Sequence, residues 1–550
     1  MGMNSSGFDQ RFWWPLDLSP RAESAFRRFR SRMLERPASL DASLAESASD
    51  ELARVMARHV SELSQCDRLP QLSHVLNGWG DLRVDGLRIS DRVERFVHRD
   101  GRGRARILQC DPEGEFHPWQ SFAYAVMAGV DPDARLGSGD VTFRELALNS
   151  RHLNTTEGRE LGHLLFALTE LDPGMAGGPF SLQGEACDLP RLMELAVEAH
   201  HYGTFAVCRK FHLTEGLCAV AARVPGFESY RGDAQRFLEG QLDILMVLGV
   251  ILEQAAELAA SGEAPGPDSL IQELREALVI GPYVENHWYY AGHIIELAAF
   301  GDSFGYRLAP EHRSAVAFVL NELNRALPLY LPHAQFGECF LHLGHYRRAV
   351  TLFAALEQGH ASGREFSRAE LARFTPDIER LRREQDAAGD AGAAAAPPPV
   401  FQLAHEPVKR REEFERVVAE YEKVAPRHFE PRGTSDHHRR MGPLWWPRAL
   451  HYELLDYGGV VGAEIHLESE AVRPLGSLVR SLLEQTTDKF PSLRVQWEPR
   501  WSKGCGRLRV LFPPDLPPAA VAAGMVTLIG ATFPTLDAAV SREPADVAVD

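Results

Sequence analysis

Residues 285 to 296, Glu-Asn-His-Trp-Tyr-Tyr-Ala-Gly-His-Ile-Ile-Glu, bring two imidazoles, two carboxylates, an amide and three aromatic rings into one short stretch. Apolar walls with a few convergent polar groups are what a small-molecule pocket requires. Glu285, His287, His293 and Glu296 are therefore candidate catalytic residues, with imidazole as the general acid or base near neutral pH. His163 joins them. Gly162-His163 precedes Leu-Leu-Phe-Ala-Leu just as Gly292-His293 precedes Ile-Ile-Glu-Leu-Ala, and a diverged internal repeat would give the two histidines equivalent places.

Other spacings point to chemistry less directly. Glu160/His163, Glu198/His201 and Glu357/His360 have the Glu-x-x-His form used by carboxylate-bridged metal bundles. Cys208 and His212 stand four apart with His201 on the same stripe, and Glu338, His342 and His345 share a helical face. Buried Cys serves as a small apolar residue, and a helix-interior His hydrogen-bonds to a neighbour. No metal ligand set is therefore assigned, and the sequence leaves the cofactor open. Gly301-Asp-Ser-Phe-Gly305 matches the nucleophile-elbow string, but that turn needs a strand leading into it, and a helical pattern precedes it here. No Walker A loop, GxGxxG, HExxH or EF-hand loop occurs, which excludes the familiar routes of nucleotide hydrolysis and dinucleotide redox chemistry.

Between 427 and 451, Arg432, His437, His438, Arg439 and Arg440 are interleaved with Trp445 and Trp446, a mixture suited to phosphate contact and base stacking. Arg494, Gln496, Arg507 and Arg509, read as solvent-facing alternates of a following sheet, add positive charge. The same segment also reads as an interdomain loop with its tryptophans tucked into the last domain. A net charge of −17 argues against a general nucleic-acid coat, leaving only local contact of this kind.

The elements that must position these groups follow from periodicity. Residues 1–117 read as helices with a short strand pair near 82–110, and 118–383 as helix after helix. The Ala/Pro-rich stretch within 384–406 reads as a linker, and 407–550 as a small α+β domain of order βαββα. The helix near 20–36 crowds its polar face with arginines, a docking face for an acidic surface or an ordinary solvated one. Hydrophobic content of 45% and charged content of 25% are those of a soluble globular protein. Seven cysteines without a CxxC pair fit a reducing, cytoplasmic setting. The longest apolar run, Ile244 to Leu252, is too short to span a membrane. Met1 to Ser6 matches the myristoylation form.

Phe336 to Leu356, with Phe336, Gly337 and Phe340 on one helix, Gly344 and Tyr346 at a turn, and Ala349, Phe353 and Leu356 on a second, resembles a tetratricopeptide repeat. The resemblance implies stacked helical hairpins and a surface for a protein partner. The fold expected is thus mainly α, an open helical-hairpin array or a closed α/α toroid, with the C-terminal α+β domain. An array would make the protein a scaffold that holds a partner. A toroid would enclose a cavity in which His163 and His293 act on a small-molecule ligand.

Overall fold

A helix that is apolar on every side belongs inside a core, and the first part of the chain contains several. Helix α1 (Leu69–Trp79) buries every residue but Gln71, α2 (Gln120–Met127) buries all of its residues, and α3 (Gly162–Leu171) all but Glu170. With α4 (Val207–Arg223), α5 (Val284–Ser303) and α6 (Gly344–Glu357) they form an inner set. Each packs on the next in chain order, and α6 returns to α1, so the set closes into a ring. The toroid is the closure adopted. The computed structural model describes residues 18–99, 103–107, 115, 117–137, 139–153, 158–171, 180–182, 185–202, 207–261, 269–278, 284–334, 336–388, 406–435, 438–443, 445–447, 449–456, 461–502, 505–513 and 516–540. The chain divides near residue 402 into two compact units.

Amphipathic helices lie around the ring. Arg231–Ser261 packs on α4 and α5, and Pro310–Tyr330 on α5 and on Arg231–Ser261. Ala42–Arg58 packs on α6, while Pro20–Glu35 caps Arg231–Ser261 and Pro310–Tyr330 through Phe26, Phe29 and Met33. The described residues of 1–117 are thus part of the helical unit, since α1 is itself a ring member. Its strand pair forms as Val97–Arg99 against Ala105–Ile107. Arg30 pairs with Glu311 at 2.9 Å and Arg32 with Glu253, so the first helix directs part of its arginine face to its own unit.

Three ring contacts are close enough to demand glycine. A Cβ on Gly292 would stand 2.6 Å from the Tyr346 backbone nitrogen, one on Gly162 would stand 2.4 Å from the His212 carbonyl carbon, and one on Gly78 would stand 2.2 Å from the Gly344 Cα. Here the structure departs from the hairpin expected at 336–356. Phe336–Glu357 runs without an inter-helix turn, through a π-helical stretch at Cys339–Leu343, and Gly344 is a helix-packing residue. Gly301 to Gly305 closes α5, with Gly305 in the left-handed region at φ +81 and the Ser303 hydroxyl bonded to Phe300 O at 2.7 Å. Ser303 is therefore a helix-end serine, not an elbow nucleophile.

The second unit opens with α7 (Glu406–Val424). Strands β1 (Phe429–Ser435), β2 (His438–Pro443), β3 (Leu450–Asp456) and β4 (Val461–Leu467) follow, then α8 (Gly476–Ser481) and α9 (Leu483–Lys489), β5 (Arg494–Ser502), β6 (Cys505–Phe512) and α10 (Pro518–Val540). The sheet is antiparallel in the order β5-β6-β4-β3-β2-β1. The expected βαββα order was short of β1, β2 and β3; β1 and β2 occupy the segment read as a basic loop, and β3 begins at its end. One face carries Tyr452, Leu454, Ile465, Leu508 and Val510 into a core with Phe414, Val418, Met525 and Leu528 of α7 and α10. Among the described residues α10 alone is long and apolar enough to cross a membrane, and its buried side packs on α7 and β4.

Candidate functional site: a ring of imidazoles

Each ring helix sends one aromatic side chain to the centre: His74 from α1, Tyr124 from α2, His163 from α3, His212 from α4, His293 from α5 and His345 from α6. Neighbouring rings touch all the way round. Centroid separations are 5.3 Å for His74–Tyr124, 5.0 Å for Tyr124–His163, 4.2 Å for His163–His212, 5.3 Å for His212–His293, 3.6 Å for His293–His345 and 5.8 Å for His345–His74. The five histidines are buried.

Hydrogen bonds fix the tautomers. His293 Nδ1 lies 2.8 Å from Tyr289 O, and His345 Nδ1 lies 2.7 Å from Glu296 Oε2. Tyr289 O is a backbone carbonyl, so His293 Nδ1 donates and its Nε2 carries the lone pair of the neutral ring, while His345 Nδ1 lies between Glu296 Oε2 and the Asn77 amide nitrogen, 2.9 Å away. His212 repeats the arrangement: Nδ1 faces Glu215 Oε2 at 3.2 Å, and Nε2 faces the Tyr124 hydroxyl at 3.0 Å. The Nε2 atoms of His163, His293 and His345 are buried without a hydrogen-bond partner. Ligand atoms of His212, His293 and His345 all lie within 4.8 Å of one another. Asn77 Nδ2 reaches Glu296 Oε2 at 3.3 Å and so helps hold that carboxylate against His345.

Burial keeps His74, His163, His293 and His345 uncharged. It pushes His293 down to about 4 and His74 to about 3, and drives His163 and His345 well below the ordinary imidazole value, with neighbouring imidazoles adding to the effect at His163 and His345. Arg348, one turn beyond His345, is lowered by burial to about 10 and held up by Glu296 and Glu215. A histidine whose folded pKa lies below its unfolded value adds stability that is present above the unfolded value and lost as pH falls toward the folded one. In chelator, the helical unit should therefore melt at progressively lower temperature between pH 6.5 and pH 4, at up to about 1.4 kcal/mol per pH unit for each such group. His293→Gln should flatten that slope in a pH series of thermal melts, and an equal slope in the variant would contradict the assignment.

Of the residues singled out from the sequence, His163 and His293 reach the centre and Glu296 supports it. His287 is buried on α5, but six residues from His293 is about 240° around a helix, so it faces elsewhere. Glu285 lies on α5 with its side chain outside the described residues. Glu160 bonds His117 Nδ1 at 2.6 Å instead of sharing a site with His163, and His117 stacks on His163 with centroids 5.4 Å apart. His74, Tyr124, His212 and His345 were missed as a set. Two signals were available: Gly344-His345 is a further Gly-His pair, and His212-x-x-Glu215 matches His293-x-x-Glu296 in spacing.

The basic and aromatic segment does not form a free cationic surface where it is described. Arg439 approaches Glu422 at 3.6 Å, and Arg440 bonds Glu453 at 3.1 Å and Glu468 at 3.3 Å. Arg507 is buried against Glu464 and Glu498, and Arg509 pairs with Glu498, so neither is the solvent-facing cation expected. His438 is half-buried, and the side chains of Arg432, His437 and Arg494 lie outside the described residues. Trp445 and Trp446 both donate from Nε1 to Asp537 Oδ1, at 2.7 and 2.9 Å. Asp537→Ala should lower the stability of this unit by about 1.5 to 3 kcal/mol, the range for hydrogen bonds to a charged group, read as a shifted urea midpoint.

No protein-family model matches this chain, and no curated protein or solved structure matches it significantly.

Proposed function

We propose that the helical ring is a metal-dependent enzyme module, with His212, His293 and His345 as ligands to one divalent transition-metal ion of the zinc type. The observation that carries this reading is the convergence of three buried imidazoles, two of which, His293 and His345, present an Nε2 without a hydrogen-bond partner. Lone pairs facing one another in a buried centre repel unless a cation lies between them. The supporting shell has the form such ligands use, a carboxylate or backbone carbonyl on the far nitrogen of each histidine, which orients the ring and raises its basicity. Arg348 lies beside Glu215 and Glu296 and offsets part of their charge.

Three protein ligands leave a position open, as in catalytic zinc sites, whereas structural sites use four. An ion at such a position lowers the pKa of bound water and polarises an oxygen of a small polar substrate. Tyr124, 3.0 Å from His212 Nε2, and His163, in ring contact with His212, would border that position. This develops the second of the two functions expected from the sequence, the small-molecule site in a toroid. The closed ring supports it over an open partner-binding array.

Cobalt substitution tests the reading. Stripped protein reloaded with Co2+ should show visible bands that shift when azide is added, because a small anion enters an open position. Bands indifferent to azide would make the site a closed structural one, and an absence of bound cobalt would remove the metal reading.

A further inference from the structure

The second unit carries another constellation, on the face of its sheet opposite the apolar core. His451 and Glu453 of β3 lie beside His466 of β4 and the adjoining Glu468, with His451 directly opposite His466 in the antiparallel register. Residues two apart on a strand share a face, so the two His-x-Glu pairs, 451–453 and 466–468, present four ligand side chains together. Their ligand atoms all lie within 4.8 Å of one another.

The spacing among those atoms is informative. His451 Nε2 stands 3.2 Å from Glu453 Oε2, while His466 Nδ1 stands 3.4 Å from Glu453 Oε2 and 3.4 Å from Glu468 Oε1. Those contacts are long for charge-assisted hydrogen bonds, which run to about 2.7–2.9 Å. Ligand atoms at about 2.0–2.1 Å from a tetrahedral ion stand about 3.3–3.4 Å apart. The supporting shell is also in place. His466 Nε2 bonds Glu464 Oε2 at 2.6 Å, and Glu464 is held by Arg507 at 3.0 Å. That bond directs His466 Nδ1 at the two carboxylates. Arg440 bridges Glu453 and Glu468 and fixes both.

We infer that His451, Glu453, His466 and Glu468 form a second divalent transition-metal site, independent of the imidazole ring. Two imidazoles and two carboxylates suit first-row ions such as Zn2+, Mn2+ or Fe2+. Four protein ligands make it a closed site that ties β3 to β4.

Metal stoichiometry of the full chain tests this. Stripped protein reloaded with Zn2+ and dialysed against metal-free buffer should retain one equivalent more than His451→Gln/His466→Gln, in which the amide keeps hydrogen bonding but weakens ligation. In a His293→Gln/His345→Gln background, where the ring centre is removed, the C-terminal equivalent should persist, so the two sites fail or survive separately. Equal zinc content in the wild type and the His451→Gln/His466→Gln variant would overturn the inference. Should that double variant fail to fold, Glu468→Gln decides: zinc binding at this site weaker by about tenfold or more supports it, and unchanged affinity overturns it.

Discussion

Replacing His345 with glutamine should abolish the zinc-dependent rise in melting temperature of the helical unit. A ligand that binds only the folded state stabilises it by RT ln(1 + [L]/Kd), about 4 kcal/mol at a thousandfold excess over Kd. His345 is the most constrained of the three ligands: it is fully buried, stacked on His293 at 3.6 Å, and held through Nδ1 by Glu296. Glu296→Gln leaves the ligand in place and alters only its support, so it should weaken zinc binding by about 10- to 100-fold, or roughly 1.4 to 2.7 kcal/mol. The order is the test. His345→Gln must cost more than Glu296→Gln when apo and zinc-loaded melts are compared, and equal zinc increments in wild type and His345→Gln would refute the centre.

Gly292→Ala should be among the most damaging single methyl groups in the helical unit. Its Cβ would meet the Tyr346 nitrogen at 2.6 Å and the His345 carbonyl carbon at 2.8 Å. Both are backbone atoms of α6, so no side-chain rotation can relieve the clash and α5 must move off α6. Overpacking of this kind costs about 1 to 3 kcal/mol or more. The displacement also separates His293 from His345, and metal sites tolerate only about 0.2 Å in ligand distance. The expected variant is less stable and does not retain zinc. Gly240→Ala is the control: it lies on Arg231–Ser261 with open space around it and should gain up to about 1 kcal/mol from helix propensity. Equal melting temperatures for Gly292→Ala and wild type would show that the α5–α6 contact is looser than described.

Much of the fold was legible because it is local. Helical periodicity marked 118–383 as helix after helix, and the expected βαββα order corresponds to β4, the helices after it, β5, β6 and α10. Strands β1 to β3 were not legible. Their alternation sets Arg440, Glu453 and His451 against Met441 and Tyr452, and the polar face is buried through ion pairs, so the segment reads as basic and aromatic and not as half-buried sheet. The hairpin turn expected at Gly344 failed for a related reason. Glycine signals either a turn or a close approach, and only the neighbouring Gly78 shows which applies.

The candidate site divides in the same way. The sequence by itself determined that His163 and His293 follow glycines on apolar helices, that Glu296 stands three residues beyond His293, and that the chain is mainly helical with an α+β end. Only the tertiary structure decided that these groups meet His74, Tyr124, His212 and His345. Their convergence depends on α6 closing back onto α1, and a contact between helices so far apart in the chain leaves no periodic signature in either segment. It likewise decided which ring nitrogens hold lone pairs, because that follows from acceptors such as Tyr289 O and Glu296 supplied by the packed neighbours.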